Sequence, residues 1–424
     1  MSILTEGAAA TWGIAALATG GVIIRPWRLP EAVWAVLGAV ALVGFGLLSW
    51  PDALRGMQRG FDVYLFLTGM MLLAELARAE GLFDWLAAVA VTLARGSPQR
   101  LFALVYAVGI VVTVLLSNDA TAVVLTPAVY AATRAAGAPP LPYLFICAFI
   151  ANAASFALPI SNPANLVVFG GHMPPLLAWL SRFGLASLVS IGVTYLVLRL
   201  TQHRALAATQ IVRDIARPPL RRGGQMAAGG IVLVGVCLLL CSAFDVKLGW
   251  PTFICGSVTA AAIIALNWQS PWPILRNMSW EVLPLVAGLF VLVEGLDRTG
   301  VIRILNDLLR DAVATSVDGA TWGVGIVVAI VCNLVNNLPA GLVAGSVVAA
   351  DHVPAQVSSA VLIGVDLGPN LSVAGSLATI LWLVTLRRER QEVTMLKFLR
   401  LGLLVMPPAL ILSIASMILT SPQS

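Results

Sequence analysis

A short polar segment, Ser117-Asn118-Asp119, separates two apolar stretches of the chain. If those stretches lie in a membrane, unwound backbone between them persists only where it is buried in protein or lines a wet cavity. The amide and hydroxyl groups could then bind a polar solute. The carboxylate of Asp119 could bind a proton or a cation, since an ionisable side chain within a span is costly and marks a candidate functional site. The alternative is structural: Asp119 would cap the helix that begins at Ala120.

A second polar segment, residues 333–339, interrupts the apolar sequence of the other half of the chain. Its three Asn residues are followed by Pro, a combination that stops a helix. The segment is either a buried turn with capping Asn side chains or the second half of a solute site. Asn336 and Asn337 repeat the positions of Ser117 and Asn118, which favours the site.

Two longer polar elements, residues 152–165 and 366–379, also interrupt apolar runs. Exposed half-helix ends there would present N–H groups or carbonyls to a solute. We expect both elements to form helical hairpins that meet near the middle of the membrane. The alternative is a pair of kinked helices whose Ser and Thr side chains bond to their own backbone. The candidate binding residues are Asn152, Asn162, Asn165, Asn370, Ser376 and Thr379, and Asp366 is a second candidate for proton coupling.

The composition places these segments in a membrane. Of the 424 residues, 59% are apolar and 11% are charged, and the mean hydropathy is +0.94. A soluble domain is about 45–50% apolar and about 25% charged, so the chain is not a soluble globular, disordered or nucleic-acid-binding protein. Its apolar runs predict roughly ten to twelve transmembrane segments of about 20 residues each. The predicted fold is therefore an all-α polytopic membrane protein.

The two halves of the chain share a weak internal repeat. Equivalent residues lie 219 or 214 positions apart: Gly69 and Gly288, Glu75 and Glu294, Ser117-Asn118 and Asn336-Asn337, Asn152 and Asp366, Asn162 and Ser376. Asp119 matches Leu338, so the carboxylate is not duplicated. We interpret residues 1–199 and 225–424 as two transmembrane repeats joined by a basic cytoplasmic linker, 200–224. The segment 387–400 is also basic, whereas its match near 171–182 is not, and this asymmetry predicts inverted repeats.

Motifs of soluble catalytic and nucleotide-binding classes are absent from the sequence. There is no Walker A, HExxH or GxSxG motif, so we expect a secondary transporter rather than an enzyme. Its energy would come from an ion gradient or from a separate subunit. We expect no cofactor and no resident metal ion.

Cysteines and paired charges are weaker candidates. Cys237 and Cys241 share one helix face, and Cys332 precedes Asn336 by four residues. Thiolates bind soft metals and arsenic(III), although a buried Cys is more often a small apolar residue. Glu75 and Glu294, which lie near arginines, are interpreted as members of ion pairs at the membrane edge.

Several segments together resemble the bacterial arsenite/antimonite efflux permease family of the ion transporter superfamily. They are SNDATAVVLTPAV (117–129), NNLPAGL (336–342), DLGPNLSVAGSLATILWL (366–383) and KFLRLGLLVMPPALIL (397–412). The third is the most specific. The first is shared more loosely with sodium-coupled carboxylate and Na+/H+ transporters of the same superfamily.

The resemblance implies two inverted repeats, each with a broken helix and a re-entrant hairpin, around a site at the membrane midplane. The cargo would be As(OH)3 or Sb(OH)3, an uncharged triol exported in exchange for protons across the bacterial inner membrane, with or without a cytosolic arsenite-stimulated ATPase. Asn118, Asn336 and Asn337 would hold the cargo, with Ser117, Ser376 and Thr379 nearby. Asp119 would take the proton, because burial favours the protonated form of a carboxyl group, and Asp366 would be the second proton site.

Three alternatives remain open from the sequence. Another member of the superfamily could move Na+ or a carboxylate, although the breaks contain no Arg for a dicarboxylate. A passive channel for neutral solutes would suit broken helices but has no use for a buried Asp. An integral membrane enzyme lacks the His or Cys cluster that catalysis would require.

Overall fold

The computed structural model describes residues 6–170, 173–207, 210–213, 215, 218–268, 270–349 and 353–420. These residues form helices, turns and loops, with no strand among them. This confirms the predicted all-α class. The α-helices are α1 Glu6–Ile24, α2 Glu31–Gly44, α3 Trp50–Arg59, α4 Phe61–Ala79, α5 Leu82–Ala94, α6 Pro98–Leu115, α7 Thr126–Ala135, α8 Leu141–Ala153, α9 Pro163–Phe169, α10 Leu176–Ala207, α11 Arg222–Ala243, α12 Gly249–Asn267, α13 Trp272–Asn277, α14 Val282–Arg298, α15 Val301–Thr315, α16 Val317–Val335, α17 Asn337–Ala349, α18 Ala355–Leu367, α19 Leu377–Arg388 and α20 Met395–Thr420.

Seven of these helices are long and apolar enough to cross a membrane alone, and an eighth span is possible if α3 and α4, bent by 48°, count as one. Four further apolar helices, α2, α5, α8 and α17, have only 13 or 14 residues. Since a straight span needs about 20 residues, these four cannot each cross alone. The sequence-based count of ten to twelve is larger, because it divides the chain length into full spans, whereas the described part of the chain also contains these short helices.

The helices of the two halves follow one another in the same order. Helices α1–α10 match α11–α20 one by one, and the repeats interlock, because α4 packs against α12 and α14 packs against α2. Gly69 and Gly288 are the points of close approach. A Cβ atom on Gly69 would lie 2.5 Å from the carbonyl oxygen of Thr252, and one on Gly288 would lie 2.8 Å from that of Ala35. The equivalent glycines therefore have equivalent packing roles.

The linker between the halves is partly helical. Helix α10 continues to Ala207, so the predicted linker, 200–224, begins with its last turns and ends in the first residues of α11. The backbone N–H of Val212 donates to the carbonyl of Ala136, 2.9 Å away, which fastens the linker to the end of α7.

The polar segments interrupt the helices where the sequence predicts. The hydroxyls of Thr113 and Thr121 lie 2.8 Å apart, whereas residues eight apart on a straight helix are separated by about 12 Å. The chain therefore departs from a straight helix between α6 and the π-helical turn Ala120–Leu125. In the second repeat, Asn336 has φ +73° and separates α16 from α17.

The two longer elements end in matching helix caps. The Asn162 side chain caps α9 by accepting from the N–H of Ala164 at 3.0 Å, and Ser376 caps α19 by accepting from the N–H of Ala378 at 3.2 Å. Asn162 and Ser376 are the pair related by 214 residues, so the repeat preserves the capping role while the side chain changes.

Candidate functional site

A small cavity lies where the interrupted helices of both repeats meet. Its volume is about 20 Å³, which is room for about one water molecule. The lining consists of six pairs of residues, and each pair is related by one of the two repeat offsets: Val63 and Val282, Leu67 and Val286, Asn118 and Asn337, Asp119 and Leu338, Asn162 and Ser376, Pro163 and Leu377. Equivalent positions of the two halves therefore contribute to the cavity in pairs.

The polar groups of the cavity are amides, one hydroxyl and one carboxylate. Asn118 accepts a hydrogen bond from the backbone N–H of Asp119 at 2.9 Å, which orients its amide at the start of the π-helical turn. The side chain of Asn337 makes no hydrogen bond with the described part of the protein. No Lys or Arg lines the cavity. These donors and acceptors therefore match a small neutral solute with several hydroxyl groups, which needs more room than the present volume of the cavity.

Asp119 is half-buried, and its carboxylate makes neither a hydrogen bond nor an ion pair within the described ranges. It does not cap the following helix, because the N–H of Ala120 donates instead to the hydroxyl of Ser117, 3.1 Å away. The structural alternative considered from the sequence therefore does not hold. The carboxylate is available to a ligand.

A larger vestibule of about 630 Å³ adjoins the cavity. Asp119 lines both the cavity and the vestibule, whereas Ser117 lines only the vestibule. Apolar residues make up most of the vestibule lining, and five further charged side chains belong to it: Glu75, Arg78, Glu281, Arg388 and Glu389. Glu75 accepts from Arg78 at 2.7 Å, which agrees with the expected ion pair. Glu281 and Glu389 carry no signal in the sequence that marks them as site residues, because a charged residue at a helix end is ordinarily solvated.

A second polar cluster lies outside the cavity lining. Asn152 donates to Oδ1 of Asn370 at 3.0 Å and to the hydroxyl of Thr379 at 3.5 Å, and Asn370 donates to the carbonyl of Phe149 at 3.1 Å. All three side chains are buried. These bonds join α8 to the break after α18 and to α19, so they connect the two repeats.

Asp366 is completely buried and does not line the cavity. Its Oδ1 accepts from Nδ2 of Asn162 at 2.7 Å, and its Oδ2 has no hydrogen-bond partner. Because Asn162 lines the cavity, this amide connects Asp366 to the site that contains Asp119.

The remaining predicted residues bond to backbone. Asn165 donates to the carbonyls of Ser155, Leu158 and Pro159, at 3.0, 3.2 and 3.3 Å, and so holds the loop before α9. Asn336 accepts from the N–H of Leu338 at 3.3 Å and lies outside the cavity lining.

Two residues of the predicted breaks that were not among the predicted binding residues support these breaks. Asn333 donates to the carbonyls of Ala329 and Gly368, at 2.8 and 2.9 Å, and accepts from the hydroxyl of Ser372 at 2.7 Å. The carbonyl of Ser161 accepts from the N–H of Asn118 at 3.1 Å, which joins the two breaks of the first repeat. The signal was the polarity of both residues within apolar runs.

Comparison with known proteins places this geometry among membrane transporters. Residues 20–365 match the family model described as "Citrate transporter". The chain is 25% identical to the "Arsenical pump membrane protein" of Escherichia coli over 412 residues, which is 94% of this chain and 95% of that protein. It is 27% identical to the protein of the same name from Yersinia enterocolitica, over 82% of this chain and 84% of the other. These relatives confirm the resemblance stated from the sequence motifs.

A solved structure shares the fold. The chain resembles the crystal structure of the Alcanivorax borkumensis YdaH transporter, which has "an unusual topology", with a TM-score of 0.57 and 16% identity. The match covers 87% of this chain and 88% of that one.

Proposed function

The chain belongs to the citrate transporter family of multi-pass membrane transporters, and we propose that it exports As(OH)3 and Sb(OH)3 in exchange for protons. The observation that carries the proposal is the position of Asp119. Its carboxylate lines a cavity built from both repeats and has no cationic partner there. An unpaired carboxylate at membrane depth is costly when charged, so it is neutralised by a proton or stabilised by a hydrogen-bonding ligand.

Proton and cargo compete for the same oxygens in this scheme. A deprotonated Asp119 accepts hydrogen bonds from the hydroxyls of As(OH)3, whereas a protonated Asp119 offers one acceptor fewer and one donor more. Binding of cargo therefore favours release of the proton, and binding of the proton favours release of cargo. This exclusion is what an antiporter requires.

The other cavity residues suit an uncharged triol. The amides of Asn118, Asn162 and Asn337 offer donors and acceptors, and Ser376 adds a hydroxyl. Citrate, from which the family takes its name, is a polyanion. It would meet Asp119 in a cavity lined by no Lys or Arg, so the repulsion favours neutral cargo over citrate or a dicarboxylate.

The vestibule indicates which side of the membrane is open. Arg388, on the vestibule wall, lies in the basic segment 387–400, which by the positive-inside rule faces the cytoplasm. The positions equivalent to the vestibule lining are closed on the other side of the cavity. There Arg59 pairs with Glu294 at 2.8 Å. Helix α17 also packs closely on α9, since a Cβ atom on Gly345 would lie 2.6 Å from the carbonyl oxygen of Val168. This asymmetry supports the assignment of an inward-facing state, from which exchange of open and closed sides between inverted repeats would release cargo outside.

We assign structural roles to the polar residues outside the cavity, except for Asp366, to which we assign the binding of a second proton. Asn152, Asn370 and Thr379 connect the repeats, and Asn165 and Asn336 hold the breaks. Asp366, linked to the cavity through Asn162, is the second proton site. The basic linker is the surface proposed for a cytosolic ATPase, and the bacterial inner membrane is the proposed location.

Arsenite uptake into everted vesicles under an imposed pH gradient tests the proposal. We expect accumulation in the wild type and none in Asp119→Asn, with Asp366→Asn as the comparison. Flux that persists in Asp119→Asn would move the proton role to Asp366. Uptake of citrate or Na+ in place of arsenite would overturn the cargo assignment, and flux independent of the pH gradient would indicate a channel.

A further inference from the structure

Two cysteine sulfurs meet between α11 and α12. Sγ of Cys255 lies 3.7 Å from Sγ of Cys237, and both side chains are half-buried and free of disulfides. The sequence paired Cys237 with Cys241, one turn further along α11. Cys241 does lie next to Cys237, and the structure adds Cys255 of the next helix, whose sulfur faces that of Cys237. Neither Cys237 nor Cys255 lines the cavity or the vestibule.

Such a pair has a specific chemistry. Thiol sulfur is a soft ligand, and a trivalent arsenic atom can bond to two neighbouring sulfurs. We propose that Cys237 and Cys255 form a dithiol site for trivalent arsenicals, separate from the transport cavity. With As(OH)3, two As–S bonds form and two As–O bonds break. Each thiol proton leaves with a hydroxyl group as water, and the arsenic keeps its third hydroxyl and its oxidation state.

The donor set favours a metalloid over a metal ion. Structural Zn²⁺ takes four ligands, and the described part of the chain contains no group of three or more His, Cys, Asp or Glu residues that could hold a metal ion. Two sulfurs and one retained hydroxyl satisfy a three-coordinate arsenic atom. No carboxylate or imidazole is needed.

The position of the pair gives a ligand access. Cys237 lies six residues before the end of α11, and Cys255 lies six residues after the start of α12. At 1.5 Å per residue, each sulfur is about 9 Å from the helix ends along the axis. The pair therefore lies within the two spans, somewhat nearer their middle than their ends, and its half-exposed side chains can be reached by a small neutral arsenical that enters the bilayer.

Thiol protection tests the site without any transport measurement. The reduced, purified full-length protein is treated with phenylarsine oxide, which bonds to at most two sulfurs, and then with N-ethylmaleimide, and labelled cysteines are identified by peptide mass spectrometry. Without the arsenical we expect label on the three half-exposed cysteines. With it we expect label on Cys241 alone.

Single substitutions locate the sulfurs. Cys241→Ser is the matched control and should leave the protection of Cys237 and Cys255 intact. Cys237→Ser and Cys255→Ser should each abolish protection of the remaining partner. Protection of Cys237 and Cys241 in Cys255→Ser would place the site on α11 alone, and no protection in the wild type would remove it; either result overturns the proposal.

The site stands apart from the proposed export. Because neither sulfur lines the cavity, arsenite flux in Cys237→Ser and Cys255→Ser should equal that of the wild type. If the wild type shows no arsenical protection but normal arsenite flux, the dithiol proposal alone fails. If it shows protection but no arsenite flux, the export proposal alone fails.

Discussion

Asp119 and Leu338 line one cavity from equivalent positions of the two repeats, 219 residues apart in the chain. The repeat supplies matching backbone, but only one of the two positions carries a carboxylate. The cavity therefore has one acidic group because the side chains at the two equivalent positions differ, although their backbones are equivalent.

Transfer of the carboxylate from position 119 to the equivalent position 338 should restore coupling of arsenite flux to the pH gradient. Asp119→Asn should reduce pH-driven arsenite flux to that of vesicles without the protein. Addition of Leu338→Asp should recover flux to within about tenfold of the wild type, equivalent to ~1.4 kcal/mol, because the new carboxylate lines the same cavity. Leu338→Asn in the same background is the control and should recover nothing. Equal flux in the two double variants would contradict the role assigned to the charge.

Asn162 should matter more to stability than its equivalent, Ser376. Both cap a helix, and loss of a cap costs about 1 kcal/mol. Asn162 also donates to the buried Asp366, and removal of that donor costs a further ~1–3 kcal/mol. Thermal unfolding in detergent should therefore show a larger loss for Asn162→Ala than for Ser376→Ala. Equal losses would show that the bond to Asp366 contributes nothing.

Asn152 and Asn337 should fail in different ways. Asn152→Ala removes the hydrogen-bond donor to the buried side chains of Asn370 and Thr379. The unpaired groups cost about 1–3 kcal/mol of stability, so the melting temperature should fall. Asn337 lines the cavity and has no bond to lose, so Asn337→Ala should raise the KM for arsenite at unchanged melting temperature. A raised KM for Asn152→Ala with normal stability would move Asn152 into the binding site.

The equivalent glycines at the helix crossings should not tolerate a larger side chain. Gly69→Ala and Gly288→Ala place a Cβ atom at 2.5 and 2.8 Å from backbone oxygen, and such overpacking typically costs about 1–3 kcal/mol. Gly13→Ala, where nothing lies within 4 Å of the added carbon, should stabilise α1 by about 0.5–1 kcal/mol. Melting temperatures of the three variants measure the contrast.

Accessibility should distinguish the two sides of the cavity. Leu381 lines the vestibule, whereas Val167, the residue 214 positions earlier, is buried at 5% exposure. In a background where the three half-exposed cysteines are Ser, a membrane-impermeant maleimide should label Leu381→Cys in everted vesicles and leave Val167→Cys unlabelled. The opposite pattern would mean that the vestibule faces the other compartment.

The sequence by itself determined the class of the fold and the places where its helices break. Apolar runs interrupted by Asn, Pro and Gly can only be buried helices with breaks, because unwound backbone is not stable in lipid. The repeat was visible for the same reason: equivalent helices need equivalent glycines and caps, as Gly69 and Gly288 or Asn162 and Ser376 show. These are local requirements, and local sequence expresses them.

Only the tertiary structure decided which polar residues share a site. Asn118 and Asn337 meet in one cavity, whereas Asn152 and Asn370 bond to each other outside it, although all four look alike in sequence. The approach of Cys255 to Cys237 likewise depends on how α12 packs against α11. Such contacts join residues far apart in the chain, and their partners are set by the packing of whole helices, which no short segment of sequence encodes.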